Sequence, residues 1–250
     1  MINNRKLGAI ILAAGRGKRM QSKKANKVTL HLANKPLILH SIHLLEKMKF
    51  EEIVVLVGYA KDSVKNVLKE SNVVFAEQKK RLGTGHAVKV AFKSLDLKIT
   101  DVLIIYGDDS HFYNEKIISS LIKEHYLKKA SITFLTITVA NPFGLGRIVR
   151  DKSGEVMAIT EEKDATEKIR KIKEVNPACY IFDVEFLKKY LPKIPKSKVT
   201  GEYYLTSLID IAIKNAEKIA TFKVKNMPWR GVNTREELLE AEKIYMKLVD

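Results

Sequence analysis

The residues best placed to do chemistry come early. Leu12-Ala13-Ala14-Gly15-Arg16-Gly17-Lys18-Arg19-Met20 sets two glycines among three cations. Glycine lets backbone N–H groups approach an anion closely, and flanking cations offset its charge, so the loop suits a phosphate group. It is not a Walker A loop, because position 12 is Leu where Gly belongs and position 19 is Arg where Ser or Thr belongs. It is not a dinucleotide fingerprint either, since Met20 stands where the third Gly belongs. By spacing alone, a tight turn with solvated charges fits as well as a phosphate site. From Arg16 to Lys27 the basic residues are Arg16, Lys18, Arg19, Lys23, Lys24 and Lys27, with no acid among them.

Two further segments carry reactive types. Tyr106-Gly107-Asp108-Asp109 follows an apolar run and offers carboxylates, and Mg²⁺ takes one or two of these together with phosphate oxygens and water. An isolated Gly-Asp is more often a turn or helix cap; a cationic loop at the same edge favours the metal for Asp108, while Asp109 keeps the turn reading. Leu82-Gly83-Thr84-Gly85-His86-Ala87 opens a helix whose N-terminus could meet a ligand oxygen. His86 has no orienting carboxylate in sequence and reads as structural. There is no Cys/His cluster for zinc and no Gly-x-Ser-x-Gly elbow.

These segments must be positioned by a scaffold. Leu7 to Ala13 is continuously apolar, as a strand covered on both faces must be. Pro36 opens a helix whose apolar stripe runs through Leu37, Ile38, Ser41, Leu44, Leu45 and Met48. Strands at 53–57, 73–75 and 102–106 alternate with helices at 62–69, 84–95 and 115–128. This order predicts an α/β, Rossmann-like, mainly parallel sheet with helices on both faces. Ligands in such sheets bind beyond the carboxyl ends of the strands, where 14–27 and 107–109 both fall. Beyond 131 the pattern turns β-rich, with strands at 132–139, 147–150, 156–160, 178–182 and 219–224, the second and third forming a hairpin. Helices are expected at 185–190, 204–215 and 235–248. No linker divides the halves, so a single domain spans 1–250, with 1–130 and 131–233 as its two parts and 234–250 as a closing helix.

The 250 residues are enough for a sizeable core. The 45 basic and 29 acidic residues give a formal charge of +16. Such a charge suggests nucleic acid, but segment 16–27 contains no aromatic residue to stack a base, and the other lysines are scattered over helices. No apolar run reaches the roughly 18 residues of a membrane span. The single cysteine, Cys179, excludes an internal disulfide framework. Leu7 to Ala14 is a poor signal peptide because charges follow it directly, and a cytoplasmic protein is expected.

Taken in order, the segments at 12–20, Gln78 with 82–87, and 106–108 resemble the sugar-1-phosphate nucleotidyltransferases, a GT-A-like family of nucleotide-diphospho-sugar transferases. Phe143-Gly-Leu-Gly-Arg-Ile-Val-Arg, Glu161-Glu-Lys-Asp-Ala, Gly201-Glu-Tyr-Tyr-Leu-Thr and Gly231-Val-Asn narrow the resemblance. This set is similar to the uridyltransferase domain of bacterial N-acetylglucosamine-1-phosphate uridyltransferases (GlmU type), without their acetyltransferase β-helix. The resemblance implies that UTP and N-acetylglucosamine 1-phosphate give UDP-N-acetylglucosamine and pyrophosphate, with Mg²⁺ as cofactor. It implies that Arg19 and Lys27 grip phosphates and that Asp108 and Asn233 hold the metal. Leu12, Ala13, Ala14, Gly15, Gln78, Gly83, Thr84, Tyr106 and Gly107 would bind the nucleotide. Gly146, Glu161, Asn176, Tyr204 and Thr206 would surround the sugar, within an antiparallel extension.

The chain departs from the family's habit at Lys18 (usually Thr), Asn26 (usually Pro), Leu145 (commonly Tyr) and Pro177-Ala178 (usually a small residue and Gly). Two other readings stay open: the same chemistry on another sugar 1-phosphate or nucleotide, such as glucose 1-phosphate or dTTP, and a non-catalytic nucleotide-sugar sensor.

Overall fold

The computed structural model describes residues 5–17, 20 and 25–249. Arg19, expected to grip phosphate, lies outside the described residues, as do Lys18, Lys23 and Lys24. The strands are β1 (Leu7–Ala13), β2 (His31–Leu32), β3 (Lys35–Pro36), β4 (Glu52–Val57), β5 (Val74–Glu77), β6 (Asp101–Tyr106), β7 (Ile132–Thr138), β8 (Gly146–Arg150), β9 (Val156–Thr160), β10 (Glu174–Asn176), β11 (Cys179–Asp183) and β12 (Ile219–Val224). The helices are α1 (Leu37–Lys47), α2 (Lys61–Val67), α3 (Thr84–Phe92), α4 (Glu115–Lys128), α5 (Glu167–Arg170), α6 (Val184–Tyr190), α7 (Ser207–Lys214) and α8 (Arg235–Val249).

Strands β5, β4, β1 and β6 lie side by side and parallel. Ala13 faces Val57, Leu12 faces Tyr106, and Val57 faces Glu77, so the four strands finish at one level. The sheet then turns mixed. β11 is antiparallel to β6 and to β7, while β12 runs parallel along the whole other edge of β7. β10 shares β11's edge of β7 and leads out to the hairpin β8–β9. A separate two-stranded antiparallel ribbon, β2–β3, lies before α1.

Alternation along the strands sends Ile10, Val54, Leu56 and Ile104 to one face, where α3, α6 and α7 cover them. Ile11, Val55, Leu103 and Ile105 face the other side, under α1, α2, α4 and α8. This two-sided cover explains why β1, β4 and β6 read as unbroken apolar runs. Cys179 is a free, buried thiol, and burial pushes its pKa up. Among the described residues no helix is long and apolar enough to cross a membrane.

Two expectations change, and four short elements are additions. Pro36 caps α1 from outside instead of occupying its first turn. The helix expected from Tyr204 begins at Ser207, because Tyr203 pairs in extended form with Leu82 and Gly85. The short elements β2, β3, β10 and α5 carry too few residues for a period to show.

One buried polar cluster ties the layers together at the far end of β6. Asp101 accepts hydrogen bonds from Arg5 (2.9 Å) and Thr100 (2.7 Å), and its Oδ1 lies 3.1 Å from His125 Nε2 on α4. His125 Nδ1 in turn meets the Thr133 hydroxyl of β7 at 2.8 Å. Burial raises the Asp101 pKa, but the bonds from His125 and Thr100 and the Arg5 charge outweigh it, leaving the group below its ordinary value. Asp101→Ala is expected to cost about 3 kcal/mol in urea unfolding, since it strips partners from buried donors. Because the folded pKa is depressed, the stabilisation is present above the unfolded value of about 3.9 and disappears as pH falls through the folded one. Asp101→Asn should therefore flatten the acid side of the stability profile; an unchanged slope would remove the carboxylate from that role.

Candidate functional site

The loops that leave β1, β4 and β6 crowd together beyond the sheet. A Cβ on Gly58 would lie 2.9 Å from both the Cβ and the carbonyl oxygen of Ala14, so only glycine lets the first two loops approach so closely. Asn26 holds them there. Its side chain is fully buried, and Nδ2 donates to the carbonyls of Ala13 (2.9 Å), Tyr59 (2.8 Å) and Gly15 (3.3 Å). Asn26 Oδ1 accepts from Val28 N at 3.2 Å and caps the short 3-10 turn Lys27–Thr29. The neighbouring residue, Lys27, is thereby aimed across the sheet edge.

Lys27 Nζ forms an ion pair with Asp108 Oδ2 and donates to Asn233 Oδ1 at 3.1 Å. Two oxygens from distant segments thus converge on one cation. Asn233 is itself fixed by α8: Glu237 Oε2 accepts from the backbone N–H groups of Asn233 (2.7 Å) and Thr234 (3.1 Å), and Thr234 Oγ1 accepts from Glu237 N (3.2 Å). This is a reciprocal capping box, written in the sequence as Thr234-Arg-Glu-Glu237. Asp109 closes a turn onto Tyr106 O, as its turn reading expects, and Trp229 Nε1 donates to its carbonyl at 3.1 Å. Burial and the Asp108 charge push its carboxyl up to about 8.

A first cavity of about 270 Å³ opens between these loops and α3. Leu12, Ala13, Ala14, Gly15, Gln78, Gly83, Thr84 and Tyr106 line it, with Lys27 and Asp108. Of the expected nucleotide residues, only Gly107 stays behind the wall, donating its N–H to Leu12 O at 3.1 Å. Gly83 has φ of 105°, and a Cβ there would come within 2.5 Å of Tyr203 O. That close approach lets 82–85 zip onto 203–205, through Tyr203 N to Leu82 O (2.8 Å), Gly85 N to Tyr203 O (2.8 Å) and Leu205 N to Thr84 Oγ1 (2.9 Å).

A second cavity of about 310 Å³ continues from the first and shares Thr84, Tyr106 and Asp108 with it. All five expected sugar residues, Gly146, Glu161, Asn176, Tyr204 and Thr206, line it, as does Asn233. Glu161 Oε1 accepts from Thr206 Oγ1 at 2.8 Å, and burial raises its pKa. The Tyr204 hydroxyl meets Thr200 Oγ1 at 2.7 Å. Asn176 is largely spent on the backbone: Nδ2 donates to Leu135 O (2.8 Å) and Oδ1 accepts from Ala178 N (2.9 Å). It thereby stitches the break where the chain passes from β10 to β11, with Ala178 at φ 57°.

Sequence reasoning missed Asn26, Glu237, Arg81 and Glu202. The last two line the first cavity. Glu237 was detectable from its capping box, whereas an Asn between Ala and Lys carries no signal of burial.

The description "Nucleotidyl transferase" fits residues 8–247. The bifunctional protein GlmU of Thermoanaerobacter pseudethanolicus is 42% identical over 244 residues, covering 98% of this chain and 52% of the relative. GlmU of a Psychrobacter species is 39% identical over 249 residues, covering 99% and 53%. The chain therefore spans about half the length of the curated relatives it matches. A crystal structure described as a putative glucose-1-phosphate thymidylyltransferase from Bacillus anthracis superimposes with a TM-score of 0.77 at 20% identity, over 95% of this chain and 94% of that one. At that identity the likeness concerns the fold.

Two substitutions test the local architecture. Asn26→Ala removes the donor shared by three carbonyls and should lower stability by about 1–3 kcal/mol in urea unfolding; an unchanged midpoint would show that the amide bonds are not needed. Ala178→Gly relieves a left-handed alanine and should raise stability by up to about 1 kcal/mol, read as a higher Tm.

Proposed function

The chain belongs to the nucleotidyl transferase family, and we propose that it converts UTP and N-acetylglucosamine 1-phosphate into UDP-N-acetylglucosamine and pyrophosphate. The observation that carries this reading is the pair of joined cavities, which meet at Asp108, Thr84 and Tyr106. A nucleotide in the first and a sugar phosphate in the second would bring their phosphates together beside Lys27, Asp108 and Asn233. The identity of 42% and 39% to GlmU proteins supports the N-acetylglucosamine choice.

The chemistry asks for charge control more than for proton transfer. An oxygen of the sugar phosphate attacks the α-phosphorus, a P–O bond forms, and the bond to the departing pyrophosphate breaks. The attacking oxygen is already ionised, so no general base is needed, in keeping with a sequence that has no Gly-x-Ser-x-Gly elbow. Two like charges about 4 Å apart near a protein surface repel by about 4 kcal/mol. Lys27, and by the family resemblance Arg19, would offset this repulsion and hold the reactants in line.

The site also fits a divalent cation. Asp108 Oδ2 and Asn233 Oδ1 already converge on an ammonium, a monovalent stand-in. Mg²⁺ accepts such a sparse set of protein oxygens when phosphates and water complete its shell. Asp108 and Asn233 are the residues that would hold it, and the ion would supply charge neutralisation to the phosphates. Binding there would free Lys27 from its two oxygens for the phosphates. Glu161, Thr206, Tyr204 and the backbone at Gly146 would bind the sugar.

Pyrophosphate release measured with four nucleoside triphosphates and several sugar 1-phosphates tests the reading. Turnover should be highest for UTP with N-acetylglucosamine 1-phosphate, should require Mg²⁺, and should fall about a hundredfold or more in Asp108→Ala. Preference for glucose 1-phosphate or dTTP would overturn the substrate assignment. Nucleotide-sugar binding without turnover for any pair would establish a sensor instead, and full activity in Asp108→Ala would remove the metal role.

A further inference from the structure

We infer that His86 is a positioning residue for base selection, because its ring locks the Gln78 amide with the carbonyl oxygen free to face the base. The inference rests on reading the first cavity as the nucleotide site. Gln78 is buried in the wall of that cavity, at 5% exposure. Its Nε2 lies 3.3 Å from Gly83 O and 3.0 Å from His86 Nδ1. A backbone carbonyl only accepts, so the end of the amide against Gly83 must be the NH₂. The reverse orientation would set two carbonyl oxygens against each other.

The second hydrogen of that NH₂ is then directed at His86, which must present a lone pair. Burial, with Lys89 and Lys93 nearby, lowers the His86 pKa and favours the neutral ring. With Nδ1 accepting, the ring proton sits on Nε2. Both amide hydrogens of Gln78 are consumed, and Oε1 takes no hydrogen bond from the described residues. The amide therefore meets a ligand as a pure acceptor.

A pure acceptor sorts pyrimidines by their N3 edge. Uracil and thymine carry an N3–H that donates to Oε1. Cytosine presents a lone pair at N3, which Oε1 repels. Without a lone pair at position 86 the amide is held by Gly83 alone and loses part of its orientation. The expected signature is weaker discrimination against CTP with the UTP-to-dTTP ratio unchanged, because those two bases share the N3 edge. A general packing defect would weaken all three nucleotides alike.

Calorimetric titration of the full chain with UTP, dTTP and CTP, without sugar phosphate, reads this directly. The unmodified protein should bind UTP about tenfold or more tightly than CTP, a gap of about 1.4 kcal/mol. His86→Leu should narrow that ratio several-fold, while His86→Asn, whose Oδ1 can replace the Nδ1 acceptor, should keep it. An unchanged ratio in His86→Leu overturns the inference and leaves the nucleotide site standing. Failure of the unmodified protein to bind any nucleotide overturns both. Ring ¹⁵N shifts of His86 in the unmodified protein give a check independent of variant folding: a bare Nδ1 supports the inference, and an Nδ1–H tautomer overturns it.

Discussion

Three backbone carbonyls, on Ala13, Gly15 and Tyr59, turn toward one buried amide, and much of the site's geometry depends on that meeting. Asn26 Nδ2 has only two hydrogens for three acceptors, so one hydrogen is shared. The arrangement is strong because it is buried: carbonyls left without a donor there would each cost on the order of 1–3 kcal/mol. Its geometric effect is to bind the exits of β1 and β4 into a single ledge. The same residue caps the turn that carries Lys27, so the ledge and the cation it presents move as one body.

From that ledge the electrostatics follow. Lys27 reaches Asp108 at the end of β6 and Asn233 ahead of α8, and the side chains of Lys27 and Asp108 are only 11% and 15% exposed. An isolated carboxylate so enclosed would be costly, and the ammonium offsets it. A second carboxyl, Asp109, stands next to it and is pushed up to about 8 by burial and by the Asp108 charge. Both influences favour its protonated form, and the Lys27 ammonium offsets the Asp108 charge. A site balanced in this way accepts a phosphate chain only if it arrives with its own cation or meets further basic residues. The second condition agrees with the acid-free stretch from Arg16 to Lys27.

What was legible in the sequence divides along physical lines. The parallel strands were plain because burial on both faces demands unbroken apolar runs, and their carboxyl ends located the segments 14–27 and 107–109. That Gly146, Glu161, Asn176, Tyr204 and Thr206 would share one cavity was legible only through a family resemblance. Asn176 and Asn233 look like turn residues by themselves, and Asn176 does serve a turn. The residues that escaped act at a distance in sequence. Asn26 bonds to residues 11 to 33 positions away, and no local pattern announces a side chain whose partners are other loops. Residues 204–206 were misassigned to a helix because pairing of 203–205 with 82–85 overrode their local periodicity.

That pairing also joins the two cavities. Gly83 and Thr84 bound the first cavity, Tyr204 and Thr206 bound the second, and the hydrogen bonds between 82–85 and 203–205 fasten one wall to the other. Gly83 cannot yield a larger side chain without meeting Tyr203 O, so the fastening has no slack at its centre. One short ladder of hydrogen bonds, with Thr84 Oγ1 among its acceptors, therefore holds the walls of the two cavities together.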